Sequence, residues 1–341
     1  MSEMVIGTSA LPTADAEQIR EAGIGWVRQG FRFPFADRVG GEVTEAYREA
    51  RSRAEAWTAR GLKVMGVTPL PVHSRYEADD AGALQLKWTP LLPEWCGPLG
   101  SAEYLETYQA ACRWLAEDLR GIAAMWQIAN ELDIEMFAGP LNPRQACELI
   151  SAAARGLKDA DPSLVIGHNP AGAPAAYFLC GRLFGREDGL LDYCGIDGYY
   201  GTWAPGSPEN WARRIAELHE LTGAKVLVNE WGFSSAGEVM TPQEAAGGQP
   251  NCQLRKWRHT WGPGHTPAGQ AAFVREAFDA FRSQRDALLG VFFYRWEDQE
   301  ACWQCGSPDC PIETAWGLVD REGKPKPSLK AFKEGIDRLV G

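Results

Sequence analysis

The chain has 341 residues, 45% hydrophobic and 23% charged, a balance that fills a large core and excludes a disordered chain. No apolar run approaches the ~20 residues needed to cross a bilayer, and a net charge of −11 argues against nucleic acid or an anionic membrane surface as a partner. The start, Met1-Ser2-Glu3-Met4-Val5-Ile6, has no basic segment leading into a long apolar one, so no secretory signal is expected. Nine cysteines, an odd number, then fit a reducing cytoplasm with mostly free, buried thiols. The length accommodates two domains or one elaborated α/β barrel.

Taken in chain order, short β-branched segments predict strands at Met4–Ser9, Gly25–Gly30, Leu62–Thr68, Ala124–Asn130, Leu164–His168, Cys194–Tyr199, Ala224–Glu230 and Gly290–Trp296. Between them, 3.6-residue periodicity predicts helices at Ala14–Ala22, Val43–Arg60, Ala102–Leu119, Pro143–Lys158, Ala173–Phe184, Pro208–Leu221, Gly269–Arg285 and Ser328–Leu339. Asn142-Pro143 and Ser207-Pro208 each place a cap before a proline at a first helical position. Strict alternation implies parallel strands with right-handed crossovers, and eight of them close a (β/α)8 TIM barrel.

Loop lengths point the same way. Helix-to-strand connections are tight and glycine-marked at Gly23, Gly61, Gly121 and Gly223, whereas those leaving the third, seventh and eighth strands are long. Only the carboxyl end of the strands is elaborated, the end where barrel enzymes carry their chemistry. An open, doubly wound sheet would need a glycine-rich phosphate turn after its first strand, and Gly7-Thr8-Ser9-Ala10-Leu11-Pro12 is not one. A single barrel domain over residues 1–341 is therefore expected.

Two predicted strands end in Asn-Glu: Asn130-Glu131 on the fourth and Asn229-Glu230 on the seventh. A lone glutamate after a strand is ordinarily a solvated loop residue or a helix cap. Two that emerge across a barrel mouth can converge, and carboxyl groups ~5–5.5 Å apart suit retaining glycoside hydrolysis.

With Asn229-Glu230-Trp231-Gly232 on the seventh strand, Phe292-Phe293-Tyr294-Arg295-Trp296 on the eighth and the tail Trp316-Gly317-Leu318-Val319-Asp320, the chain resembles the clan A glycoside hydrolases. These barrel enzymes include cellulases, mannanases, β-galactosidases and β-xylosidases. The resemblance implies cleavage of a β-linked glycoside through a covalent glycosyl-enzyme, without a cofactor or a catalytic metal. It makes Glu131 the general acid/base and Glu230 the nucleophile. Asn130 would bind the sugar 2-hydroxyl, and Tyr199 would donate to Glu230 and keep it ionised and aimed. Trp296 would form the subsite floor, and Arg28 would add positive charge near the nucleophile. Many clan members carry a histidine where this chain has Asp197. His168-Asn169 ends the fifth strand and offers further contacts, and either Tyr199 or Tyr200 could face the site.

Trp88, Trp95, Trp203, Trp231, Trp257, Trp261 and Trp303 all fall in or beside the loops of the elaborated end. Indole faces stack on the C–H patches of sugars, and loop tryptophans also pin loops onto a barrel. Cys302-Trp303-Gln304-Cys305 and Cys310, with Cys252 from the preceding long loop, could form a tetrahedral zinc site, disulfides or plain thiols. Rival barrel chemistries lack their marks: no His on the first strand for a metal-dependent amidohydrolase, and no Lys on the sixth for a Schiff-base aldolase. Transglycosylation on the same site and a non-catalytic sugar-binding barrel are the remaining alternatives.

Overall fold

In the computed structural model, which describes residues 4–172, 174–185 and 189–341, eight parallel strands close into a barrel. They are β1 (Val5–Thr8), β2 (Trp26–Gly30), β3 (Lys63–Val67), β4 (Ala123–Gln127), β5 (Ile166–His168), β6 (Tyr193–Gly198), β7 (Lys225–Trp231) and β8 (Leu288–Phe293). Each pairs with its successor in sequence, and β8 closes the ring on β1 in the register Val5↔Gly290 to Thr8↔Phe293. Eight helices cover the outside: α1 (Ala16–Glu21), α2 (Glu45–Ala59), α3 (Ala102–Asp118), α4 (Pro143–Ala160), α5 (Pro174–Phe184), α6 (Asn210–Thr222), α7 (Pro267–Ser283) and α8 (Pro327–Val340). The expected (β/α)8 barrel is the observed fold. Ala173, placed at the start of the fifth predicted helix, lies outside the described residues.

Helix starts follow local chemistry. Asn142 caps α4 in a reciprocal box with Gln145, with Pro143 in the first turn. Ser207-Pro208 does not open α6 as expected. The Asn210 side chain accepts a 2.7 Å hydrogen bond from the Ser207 amide, so residues 207–209 form a turn and the helix begins at Asn210.

Alternation along each strand separates two cores. Inward-facing Val5, Met65, Met125, Tyr193, Leu227 and Phe292 form an apolar plug in the barrel. Glycines opposite the large rings make room: a Cβ on Gly7 would stand 2.1 Å from the Phe292 ring, and one on Gly167 2.4 Å from Tyr193. Outward residues such as Val27, Val64, Trp126, Ile166 and Val228 pack under the helices in the larger core.

Strand β7 breaks the alternation once. Val228 pairs with Ile196 of β6, but the next partner of Asp197 is Glu230, so Asn229 is the extra residue of a β-bulge. Asn229 and Glu230 can thus both face the barrel interior, and Trp231 turns outward. There the indole meets Phe278, Phe281 and Phe293 edge-on, with ring centroids 5.4, 4.9 and 5.0 Å away, and stacks on Phe332 at 6.1 Å.

The long connections, residues 68–101, 232–266 and 294–326, all leave the carboxyl ends of strands. The first contains an antiparallel hairpin, Val72–Ala78 with Leu84–Pro90, that the sequence pattern does not announce. Among the described residues no helix is long and apolar enough to cross a membrane.

Trp231→Ala is expected to cost about 3–5 kcal/mol by leaving a cavity in the outer core, whereas Trp88→Ala, 39% exposed on the hairpin, should stay within about 0.5 kcal/mol. Urea-unfolding midpoints of the two variants check the contrast.

Candidate active site

The apolar plug is capped by a layer of amides. Gln127, the last residue of β4, accepts from Arg28 Nε at 2.8 Å and from Asn229 Nδ2 at 2.9 Å, and donates to the Ala129 carbonyl at 2.6 Å. Arg28 of β2 then spans the barrel. Its Nη2 donates to Asn130 Oδ1 at 2.5 Å, and its Nη1 lies 2.5 Å from Glu230 Oε1. The other oxygen of Glu230 accepts from the Tyr199 hydroxyl. Asn169 donates from one nitrogen to Asn130 Oδ1 at 2.8 Å and to Asp197 Oδ2 at 2.6 Å. Oxygens of Glu131, Asp197 and Glu230 lie within 4.8 Å of one another.

Glu131 reaches this cluster through an unusual turn. Ala129 and Glu131 both hold left-handed backbones, φ 48° and 42°, each costing about 1–2 kcal/mol for a residue with a Cβ. The turn is held by its amides: Ala129 donates to Thr68 Oγ1 at 2.9 Å, and Glu131 donates to the Asn169 carbonyl at 3.1 Å. Strain that neighbours over-determine is typical of functional sites.

Burial, the Glu230 charge and Asp133 push the Glu131 carboxyl well above the usual carboxylate range. Burial and the charges of Glu230 and Glu131 do the same to Asp197, whose carboxyl lies beside that of Glu131. The pair therefore retains a proton where free carboxyls have lost theirs. Burial alone would loosen the Arg28 proton, but Glu230 and Asp197 hold it more firmly than usual. Arg28 supplies the positive charge among these carboxyls, directly opposite Glu230.

Above the cluster opens a cleft of about 1560 Å³ that Arg28, Asn130, Glu131, Tyr199, Trp203, Glu230 and Trp303 line. Both tyrosines border the cleft, but Tyr199 points inward to Glu230, whereas Tyr200 packs edge-on against Trp211 of α6 at 5.2 Å. Three expected contacts do not reach the cleft. Trp231 is the outward residue after the bulge. His168 follows inward-facing Gly167, so it points out of the barrel and donates from Nδ1 to the Ile128 carbonyl at 2.7 Å, with burial lowering its pKa to about 4. Its neighbour Asn169 takes the inward place. Trp296 is 1% exposed in the outer core, because Arg295 adopts φ 78° and breaks the alternation of β8.

Of the seven loop tryptophans, Trp203 and Trp303 line the cleft. Trp95, Trp257 and Trp261 pack the loops, and Trp88 stands exposed on the hairpin. The far wall adds Tyr294 and Glu313. Tyr294 sits edge-on to Tyr199 at 5.4 Å and donates to Glu313 at 2.9 Å, and burial raises the Glu313 pKa to about 7 despite Arg295. Nothing in the sequence placed Glu313, which lies in a short helix, Pro311–Thr314, far from any strand end.

No protein-family model and no curated protein matches this sequence. Solved structures do. The catalytic domain described as GH53 from Ignisphaera aggregans aligns with TM-score 0.64 and 19% identity over 99% of this chain and 96% of its own. An exo-β-1,4-mannosidase from Opitutaceae bacterium strain TAV5 aligns with TM-score 0.65 and 17% identity, over 99% of this chain and 60% of its own. A monomeric β-xylosidase from Caulobacter crescentus CB15 aligns with TM-score 0.63 and 16% identity, over 97% and 67%. At these identities the shared property is the barrel. This chain is a TIM barrel of the kind those glycoside hydrolases use.

The proton held by Glu131 and Asp197 has a consequence for stability. The unfolded chain releases it near pH 4, so between that pH and the raised native pKa the folded state binds more protons. Stability then declines as pH rises through the window. Glu131→Gln removes one buried titration at constant shape. Its unfolding free energy at pH 8 should exceed that of the unaltered protein by about 1–3 kcal/mol, with the gap narrowing toward pH 4. Equal pH slopes for the two proteins would contradict a proton held at this site.

Proposed function

We propose that the chain is a retaining glycoside hydrolase that cleaves a β-linked glycoside or oligosaccharide by double displacement. The observation that carries this reading is the approach of Glu131 and Glu230 oxygens within 4.8 Å at the floor of the cleft. Retaining enzymes hold their carboxyl groups ~5–5.5 Å apart, and inverting ones leave ~6.5–9.5 Å for a water. The two environments also differ in the required sense: Glu131 is buried and proton-retaining, and Glu230 is ion-paired to Arg28.

In the first step Glu230 attacks the anomeric carbon while Glu131 gives its proton to the departing glycosidic oxygen. In the second, Glu131 takes a proton from water, the water oxygen attacks the same carbon, and Glu230 is released. Arg28 and Tyr199 fix one Glu230 oxygen each, so its approach is aimed before the sugar arrives. The Asn130 oxygen already accepts from Arg28, Gln127 and Asn169. This orients its Nδ2 as the donor available to a sugar hydroxyl. Asp197 stands beside Glu131, their oxygens within 4.8 Å, and Trp203 and Trp303 offer indole surface to the sugar. A sugar acceptor in place of water would give transglycosylation from the same intermediate.

A panel of aryl β-glycosides and reduced β-linked oligosaccharides tests the proposal. Glu230→Ala should be inactive on all of them. Glu131→Ala should lose about 10²–10⁴-fold on poor leaving groups and much less on activated aryl glycosides, with azide restoring turnover as a β-glycosyl azide. Proton NMR of the first-formed sugar should show the β anomer. Undiminished turnover by Glu230→Ala would overturn the nucleophile assignment.

A further inference from the structure

Behind the cleft wall lie four cysteines that the reaction does not use. Cys252 sits on a short helix, Asn251–Leu254, in the loop after β7, and Cys302, Cys305 and Cys310 sit in the loop after β8. Their sulfurs all lie within 4.8 Å of one another, and three of the four residues are buried. Cys252 and Cys302 sulfurs are 3.8 Å apart. That is nearly twice a disulfide bond of about 2.05 Å. It matches the edge of a tetrahedron whose centre is about 2.3 Å from each sulfur, the zinc–thiolate distance, since that geometry gives about 3.8 Å between ligands.

The backbone is arranged accordingly. Cys302-x-x-Cys305 is closed by Gly306, which has φ 74° and donates to the Cys302 carbonyl at 2.7 Å. The Cys302 amide donates to the Ser307 carbonyl at 3.0 Å, so the chain doubles back and returns Cys310 to the same centre. Packing alone does not call for such a turn or for four converging sulfurs. Cys305, half-buried, leaves one side open for a metal to enter.

We infer that Cys252, Cys302, Cys305 and Cys310 bind one structural zinc ion that welds the three long loops into a single cleft wall. The welding follows from the neighbours. Gln253, beside Cys252, accepts from the Leu84 amide of the hairpin at 2.7 Å. Gln304, between the paired cysteines, accepts at its carbonyl from the Tyr76 amide at 2.7 Å and donates from its side chain to Glu313 at 2.7 Å. Trp303 donates to the Tyr294 hydroxyl at 3.2 Å. The residues enclosed by the two cysteines thus face the cleft, and the metal fixes them from behind. Its place is independent of which reaction the cleft performs.

The test is metal content of the protein purified without chelator, followed by stoichiometric thiol modification. Elemental analysis should find about one zinc per chain. An organomercurial should release it to a chromogenic indicator, and cobalt substitution should give the intense visible bands of tetrahedral thiolate coordination. Cys252→Ser and Cys310→Ser should each lose the metal. If they fold poorly, chelation of the unaltered protein replaces them. In either case proteolysis within residues 232–266 and 294–326 should accelerate about tenfold or more, and readded zinc should reverse the effect in the chelated protein. A metal-free protein with four titratable thiols, or a disulfide between any two of these cysteines, would overturn the inference.

Discussion

The top of this barrel depends on the guanidinium of Arg28. It is a buried cation among carboxyls, and its fork is divided three ways, to Gln127, Asn130 and Glu230. The first two stand on or just after β4 and the third is on β7, so one planar group joins strands across the mouth from each other. A buried charge costs several kcal/mol unless its partners are close and complete, and here the partners are the residues that need aiming. Lysine could neutralise Glu230 but has no rigid fork to hold two amides as well. The apolar plug below sets the height of this layer, and the proton kept by Glu131 and Asp197 limits the negative charge above it.

Much of this was legible in the sequence because barrel strands are buried on both faces. All eight strands fall within a few residues of the apolar segments that predict them, and the glycine-marked tight turns distinguish one barrel end from the other. The Asn-Glu pairs were legible for the same reason: polar and charged residues that close a mostly apolar strand have nowhere to go but the rim. The hairpin at residues 72–90 was not, since one side of it is largely exposed and its polar, proline-flanked sequence reads as loop.

Side-chain direction departs from the sequence pattern where period two fails. His168 faces away from the cleft at the end of a strand only three residues long, too short to show from sequence which face is which. Trp296 faces the outer core because Arg295 reverses direction at a left-handed backbone, and Trp231 does so because a bulge shifts the face by one residue. Bulges and left-handed residues at strand ends leave no mark in hydrophobic patterning. They occur beside the cleft because a site must point several side chains to one spot, which regular strands cannot do. Loop aromatics stay open for a different reason: an indole that pins a loop and one that lines a groove look alike until the loop's path is known.

The bulge at Asn229 also couples two parts of the molecule that are usually considered apart. Glu230 and Trp231 are consecutive, one at the cleft floor and the other wedged among Phe278, Phe281, Phe293 and Phe332 on the far side of the same strand. The carboxylate is therefore positioned by a bolt whose head lies outside the barrel. Changes in the packing of α7 and α8, remote from any substrate, act through one peptide bond on the placement of a residue at the cleft floor. A lineage of such barrels would be free to rebuild its loops and its rim but would have to treat this patch of helical core as part of the cleft.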